Sequence, residues 1–219
     1  ESSRLFSRSS FSMAGSAGDI ALIPSFALLH EEKATPFTGY EHLSEDVTVL
    51  AIFKSGQKVD TISAGEEADL LFDITPFYSE SGGQVGDQGT LVSPSTLVAI
   101  QNTDRPVPHV SLHHAKVVHG TLAVNTRAHV TVDAILRQHT ARNHTAPHLL
   151  HAVLRDVLGD HVKQAGSLVA PDRLRFDFNH FTALSQKEID RIEADVNNQI
   201  LESMPVDTKV MEAKEAIAS

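Results

Sequence analysis

The hydrophobic period of this chain changes after Val132, so one kind of secondary structure cannot serve both halves. Before that point the pattern is mostly strand. Val47-Thr48-Val49-Leu50-Ala51-Ile52-Phe53 is rich in β-formers and ends at the turn signal Ser55-Gly56. Leu70-Leu71-Phe72 follows a second turn signal at Ala64-Gly65. Further strands are expected at 97–100, 115–118 and 128–132, with Gly120 turning a hairpin. Short strands at this spacing predict a small barrel or sandwich.

Beyond Val132 the spacing becomes helical. Leu149, Leu150, Val153, Leu154, Val157 and Leu158 recur every three or four residues, and Gly159 supplies a stop. Residues 162–169 and 173–178 read as strands interrupted at Pro171-Asp172. Ser185-Gln186-Lys187-Glu188 is a capping box opening a helix with Ile189, Ile192, Val196 and Ile200 on one face; Pro205 ends it. Val206 to Met211 reads as a strand, and a further helix is expected from Glu212. The expected class is α+β: a lead-in at 1–35 without sustained period, a β-barrel-like domain at 36–133, and an α+β domain at 134–219.

Composition narrows the function. With 219 residues and 41% hydrophobic content, the chain can bury one sizeable core or two small ones. It has no cysteine, which excludes disulfides, thiolate ligands and a cysteine nucleophile. No apolar run approaches the roughly 20 residues that span a bilayer, so no membrane partner is expected. A net charge of −10 argues against broad binding to nucleic-acid backbone. Between Arg127 and His180, however, seven basic residues face five acidic ones, and seven of the thirteen histidines lie there. The chemistry is expected in that stretch. The first residue is Glu1, and both ends read as cuts in a longer chain. Ser2 to Ser12 is rich in Ser, Arg and Phe, as an organellar transit peptide is, or as a Ser-rich linker is. A cytoplasmic or an organellar location follows according to which reading holds.

Three segments carry the candidate chemistry. His144 and His148 stand four residues apart, which on a helix puts both imidazoles on one face, within reach of one metal; His151 extends that face. Asn143 reads as the N-cap, placing Pro147 near the first turn, where its missing donor costs little. HxxxH alone is weak: His109 and His113 repeat the spacing in a strand, where it does not align them. The second segment, Thr75 to Gly89, holds four glycines among hydrogen-bonding side chains and is either a tight turn region or a ligand-binding loop. It is neither a Walker A loop nor a dinucleotide fingerprint. The third, Val162 to Phe178, alternates polar and apolar residues, giving either a solvated face or a basic face beside the histidines.

Together these segments resemble the editing region of alanyl-tRNA synthetases and the free-standing editing proteins related to them. The phrases are Thr-Pro-Phe-Tyr-Ser-Glu-Ser-Gly-Gly-Gln-Val-Gly-Asp (75–87), Arg-Asn-His-Thr-Ala-Pro-His-Leu-Leu-His (142–151) and Val-Lys-Gln-Ala-Gly-Ser-Leu-Val-Ala-Pro-Asp-Arg-Leu-Arg-Phe-Asp-Phe (162–178), with Phe37-Thr38-Gly39-Tyr40 opening the region. The resemblance covers about Phe37 to Ala218. It implies a β-barrel-like part followed by a threonyl/alanyl-tRNA synthetase type editing core, an antiparallel sheet with helices. The activity implied is hydrolysis of tRNA(Ala) mischarged with serine or glycine.

The resemblance also implies a Zn2+ held by HxxxH and by a later C-x-x-x-H phrase. The first pair maps onto His144 and His148; the second has no counterpart in a chain without cysteine, so this chain alone is expected to be weak or inactive. Where the family usually has Thr, this chain has Pro147. Gln84 matches the family's substrate-facing glutamine, and Thr75 and Gln164 sit in matching phrases. Arg142, Lys163, Arg173 and Arg175 are candidates to hold the acceptor end of tRNA(Ala), their alternative being a solvated surface. No ATP-binding segment is recognisable, so ligation of alanine with ATP would belong to another part of a parent chain. Competing readings are a non-catalytic tRNA-binding or interaction module, and a metal site made of His144, His148 and His151 alone.

Overall fold

A computed structural model describes residues 29, 30, 32–205, 211 and 212. Nine strands precede the helix that begins at Ala134: β1 (Ser44–Lys54), β2 (Gln57–Val59), β3 (Thr61–Ser63), β4 (Glu67–Phe72), β5 (Gly89–Ser93), β6 (Thr96–Val107), β7 (Val110–His119), β8 (Thr121–Ala123) and β9 (Arg127–Val132). Six of them form a closed antiparallel ring, β1-β4-β7-β6-β5-β9, sealed by β9 pairing back onto β1. β2 adds to β1, and β3 pairs with β8 as a separate ribbon. Closure leaves the ring no free edge.

The unbroken apolar run of β1 has a local cause. Its register slips between Val49 and Ala51, and an extra residue there inverts the alternation. Val47, Val49 and Ile52 therefore enter the barrel core with Leu70, Phe72, Leu91, Val98 and Val130. Ala51 and Phe53 face outward, where Leu29, Leu71, Val110 and Leu112 cover them. Gly120 does turn the chain, at φ +81°, but it joins no hairpin. It passes the chain from β7 in the ring to β8, whose partner is β3. A side chain there would meet the Ser95 carbonyl at 2.1 Å, which is why glycine occupies the corner.

Helix α1 spans Ala134–Leu158 and ends at Gly159, whose N–H donates to Arg155 O at 2.8 Å. Asp133, not Asn143, is its N-cap: Asp133 Oδ1 accepts from the N–H groups of Ile135 (2.9 Å) and Leu136 (3.0 Å). Pro147 thus lies in mid-helix, where it removes the donor that Asn143's carbonyl would otherwise receive. Strands β10 (Gln164–Val169) and β11 (Leu174–Phe178) form an antiparallel hairpin. Helix α2 (Gln186–Glu202) follows, opened by the Ser185/Glu188 capping box. Val153, Leu154, Val162 and Ile192 form the core of this half, with Phe176, Phe178 and Val196 packed on it. Of the expected α2 stripe only Ile192 is buried; Ile189 and Ile200 are exposed. The whole is the α+β arrangement expected, a barrel followed by helices on a hairpin. The readings of Ser2–Ser12, of a strand at Val206–Met211 and of a helix after it fall outside the described residues, apart from Met211 and Glu212. No described helix is long and apolar enough to cross a membrane.

Two adjacent histidines on β7 show how strand alternation sets ionisation. His113 points inward, fully buried, its ring stacked at 4.2 Å on Phe72 and edge-on to Phe77. Its Nδ1–H donates to Leu70 O at 3.0 Å, so Nε2 accepts from the Thr75 hydroxyl at 2.7 Å. Desolvation lowers its pKa to about 4. His114 points outward between Asp104 (3.0 Å) and Asp69, whose hydrogen bonds raise its pKa to about 10.

Unfolded imidazoles titrate near 6.5, so as pH falls from 6.5 to 4 the unfolded chain takes up the His113 proton first and stability falls. Urea unfolding should show that His113→Gln removes about 3 kcal/mol of this acid-side loss. An unchanged loss in the variant would contradict a neutral His113. For His114 the sign is opposite. Its contribution is present below about 6.5 and lost as pH rises towards 10, so His114→Gln should destabilise more at pH 6 than at pH 10.

Candidate functional site

Segment 73–88 leaves the barrel between β4 and β5 and is pinched at its base. There Asp87 N–H donates to Tyr78 O at 2.9 Å, and Tyr78 N–H donates to Asp87 Oδ2 at 2.7 Å. Its tip is a reversed turn, Ser81-Gly82-Gly83-Gln84, closed by Gln84 N–H to Ser81 O at 3.0 Å. Both central glycines have positive φ, +61° and +85°, as a type I′ turn requires. The tip docks on β10. Val169 N–H donates to Gly83 O at 2.7 Å, Val85 N–H donates to Val169 O at 3.0 Å, and Gln84 bridges Val169 in parallel. The barrel thereby lends the second half a short extra strand.

This docking carries Gln84 to α1. Gln84 is buried, and its Oε1 accepts from His144 Nδ1 at 2.5 Å. The accepting amide oxygen fixes the proton on Nδ1 and leaves the Nε2 lone pair unused. His148 stacks nearly parallel to His144, with ring centres 5.7 Å apart and planes 9° apart, as four-residue spacing on a helix dictates. Desolvation, then the His148 charge, lowers the His144 pKa, favouring neutral imidazole. A neutral histidine oriented through Nδ1–H by an oxygen acceptor is the form that binds metal through Nε2. His144 and His148 thus fit as two ligands of a zinc ion. Among the described residues no group of three or more His, Cys, Asp or Glu is placed to hold one, so they do not complete a set.

The remaining candidates divide. Thr75 is buried, with its hydroxyl bound to His113 and receiving the Phe77 N–H at 3.1 Å, so its polar contacts lie in the barrel and not at the histidine pair. Gln164 lies exposed at the start of β10, opposite Phe178. Arg142 donates to Gln138 at 2.9 Å. Arg173 and Arg175 pair with the neighbouring acids Asp172 (3.2 Å) and Asp177 (3.0 Å). Arg142 and Lys163 have no carboxylate partner among the described residues and remain exposed. His151 does not join the pair: its Nε2 faces Val162 O at 3.4 Å and its ring lies 5.4 Å from Phe176, which removes the three-histidine arrangement.

Three contributors were not legible as site residues. Asn143, expected as a cap, instead clamps the β10–β11 turn through Nδ2 to Ala170 O (2.7 Å) and Pro171 O (3.3 Å). Buried Asp87 and partly buried Arg137 form an ion pair beneath the loop. The usable signal was helical phase: Arg137 precedes His144 by two turns and lies on the same side.

With this geometry in view, the similarities to known proteins are specific. Residues 13–136 match the family of tRNA synthetases class II (A). The alanine–tRNA ligase of Carboxydothermus hydrogenoformans is 46% identical over 183 residues, covering 82% of this chain and 21% of that protein. That of Geobacillus kaustophilus is 48% identical over 182 residues, covering 83% of this chain and 20% of that protein. That of Chloroflexus aurantiacus is 43% identical over 185 residues, covering 84% and 21%. The chain spans about a fifth of the length of these relatives. The family match stops before His144. Alignments covering 82–84% of 219 residues, in contrast, necessarily include both Gln84 and the histidine pair.

The two turn glycines should behave differently. Alanine at Gly82 meets nothing within 4 Å and should cost only the left-handed backbone strain, about 1–2 kcal/mol. At Gly83 the added carbon would meet Ser167 Oγ at 2.5 Å and Ser167 O at 2.6 Å as well. Hydrogen exchange at Val85 and Val169 N–H should accelerate far more in Gly83→Ala than in Gly82→Ala. Equal protection in the two would argue against the docked tip.

Proposed function

Since the chain belongs to the class II alanine–tRNA ligase family, we propose that it is the region of such a ligase that hydrolyses the ester of tRNA(Ala) mischarged with serine or glycine. The observation that carries this reading is the contact between Gln84 and His144, which joins the glutamine loop to the histidine helix.

The need for such a site is physical. A pocket shaped for alanine rejects a smaller or slightly larger side chain by only about 1–3 kcal/mol, so a second, hydrolytic site must supply the rest of the selectivity. Gln84 uses its amide oxygen on His144 and keeps its NH2 group for substrate, as a donor to the extra hydroxyl of serine. His144 and His148 would hold a zinc ion, and the chemistry it would supply there is polarisation of the ester carbonyl. Thr75 supports the base of the loop from inside the barrel through Phe77 N–H. Arg142 and Lys163, exposed and without carboxylate partners among the described residues, are the stronger candidates for the phosphates of the acceptor end; Arg173, Arg175 and Gln164 are secondary. Ligation of alanine to tRNA(Ala) with ATP is assigned to the remaining four-fifths of proteins like the relatives.

The test is serine release from mischarged tRNA(Ala), with zinc present, by this chain and by a chain lengthened to the span of the relatives. The lengthened chain should deacylate, and Gln84→Ala should lower its rate by about 10–100-fold through the lost orientation of His144. His144→Ala should lower it at least as much. A lengthened chain that binds tRNA(Ala) stably without releasing serine would establish a non-catalytic binding module instead.

A further inference from the structure

We propose that Arg137 is the positioning residue that sets where Gln84 meets His144, acting across the two halves through Asp87. The inference rests on the reading of Gln84 and His144 as the working pair, but it concerns their geometry rather than the reaction.

Arg137 lies in the first turn of α1, seven residues before His144; Asp87 lies three residues after Gln84. Each therefore sits on the same element as one member of the pair. The guanidinium engages three groups. Its Nε–H reaches both Asp87 oxygens at 2.9 Å, and Nη2 also donates to Asp87 Oδ2. Nη1 donates to Gly39 O at 2.7 Å, and Nη2 to Pro76 O at 3.0 Å. One planar fork thus holds the loop base at Pro76 and Asp87 together with the segment before β1 at Gly39. Asp87 is itself held by Tyr78 N–H, by its own N–H to Tyr78 O, and by Thr103 Oγ1 to its carbonyl at 3.1 Å. Asp133 N–H adds a backbone bond to Gln88 O at 2.8 Å, which fixes the start of α1 beside the end of the loop. From this anchor the helix runs two turns to His144 while the loop runs back to its tip at Gln84.

A lysine cannot reproduce the arrangement, because a single ammonium does not span a carboxylate and two carbonyls in one plane. Asp87→Asn keeps the shape but removes the charge and one acceptor position.

The experiment is 15N NMR of the histidine rings in this chain without metal, comparing the parent with Arg137→Met, Arg137→Lys and Asp87→Asn. In the parent, His144 should show a fixed Nδ1–H tautomer, and so should His113, which lies inside the barrel and serves as the fold control. In Arg137→Met and Asp87→Asn, the Nδ1–H signature of His144 should be lost while that of His113 is kept. Arg137→Lys should show partial loss. If His144 keeps its signature in folded Arg137→Met and Asp87→Asn, the proposal is overturned. Loss of the His113 signature in all three variants would overturn it too, by showing that the pair holds the barrel rather than the site. Failure of the editing reading is separable: a lengthened chain that does not deacylate while His144 keeps its tautomer removes the function and leaves the positioning role standing.

Discussion

The ion pair of buried Asp87 with partly buried Arg137 is the side-chain anchor between two architectures. The barrel closes on itself and the helical half has its own core, so neither needs the other to bury its apolar residues. What fixes their relative placement is polar: Arg137 on Asp87, the bond from Asp133 to Gln88, and the loop tip on Val169. Desolvating a guanidinium and a carboxylate is costly, and the Coulombic gain compensates only when the remaining hydrogen-bonding groups are satisfied. Here they are met by Gly39 O, Pro76 O and Tyr78 N–H. Directional bonds of this kind select one orientation where an apolar contact would tolerate several.

That constraint is what makes the site. Gln84 and His144 are 60 residues apart in the chain and belong to different halves, yet they approach to 2.5 Å. The contact orients one imidazole and leaves it open at Nε2, while desolvation and His148 favour its neutral form. A weak histidine spacing becomes the pair that the proposed metal site would use only when the glutamine loop is brought to it.

Much of the barrel was legible because strands carry their signal locally. β-rich runs between turn signals located β1, β4, β6, β7 and β9, and the Ser185/Glu188 box located α2. Ring order was not legible, since strand pairing is a long-range property. The start of α1 was missed for a related reason. Residues 134–143 have no apolar stripe, and Ile135 is 67% exposed; a charged anchor and an aspartate cap hold this part of the helix instead. Asn143 beside Pro147 therefore looked like a cap, though it serves as a clamp on the neighbouring turn. The Thr75 phrase located the loop that reaches His144 but not the place of its first residue, whose hydroxyl completes the His113 network.

The central claim is that Arg137 and Asp87 act as one unit joining the halves, and a double-mutant cycle tests it most directly. Unfolding free energies would be measured for the parent, Arg137→Met, Asp87→Asn and the double variant. Arg137→Met should cost about 3–5 kcal/mol, because it leaves the buried Asp87 carboxylate without its partner, and Asp87→Asn about 2–3 kcal/mol, because the partly exposed guanidinium keeps Gly39 O and Pro76 O. The double variant should lose no more than the worse single, a coupling of at least about 2–3 kcal/mol. Losses that add to within about 0.5 kcal/mol would contradict the account, since additivity is the behaviour of residues that do not interact.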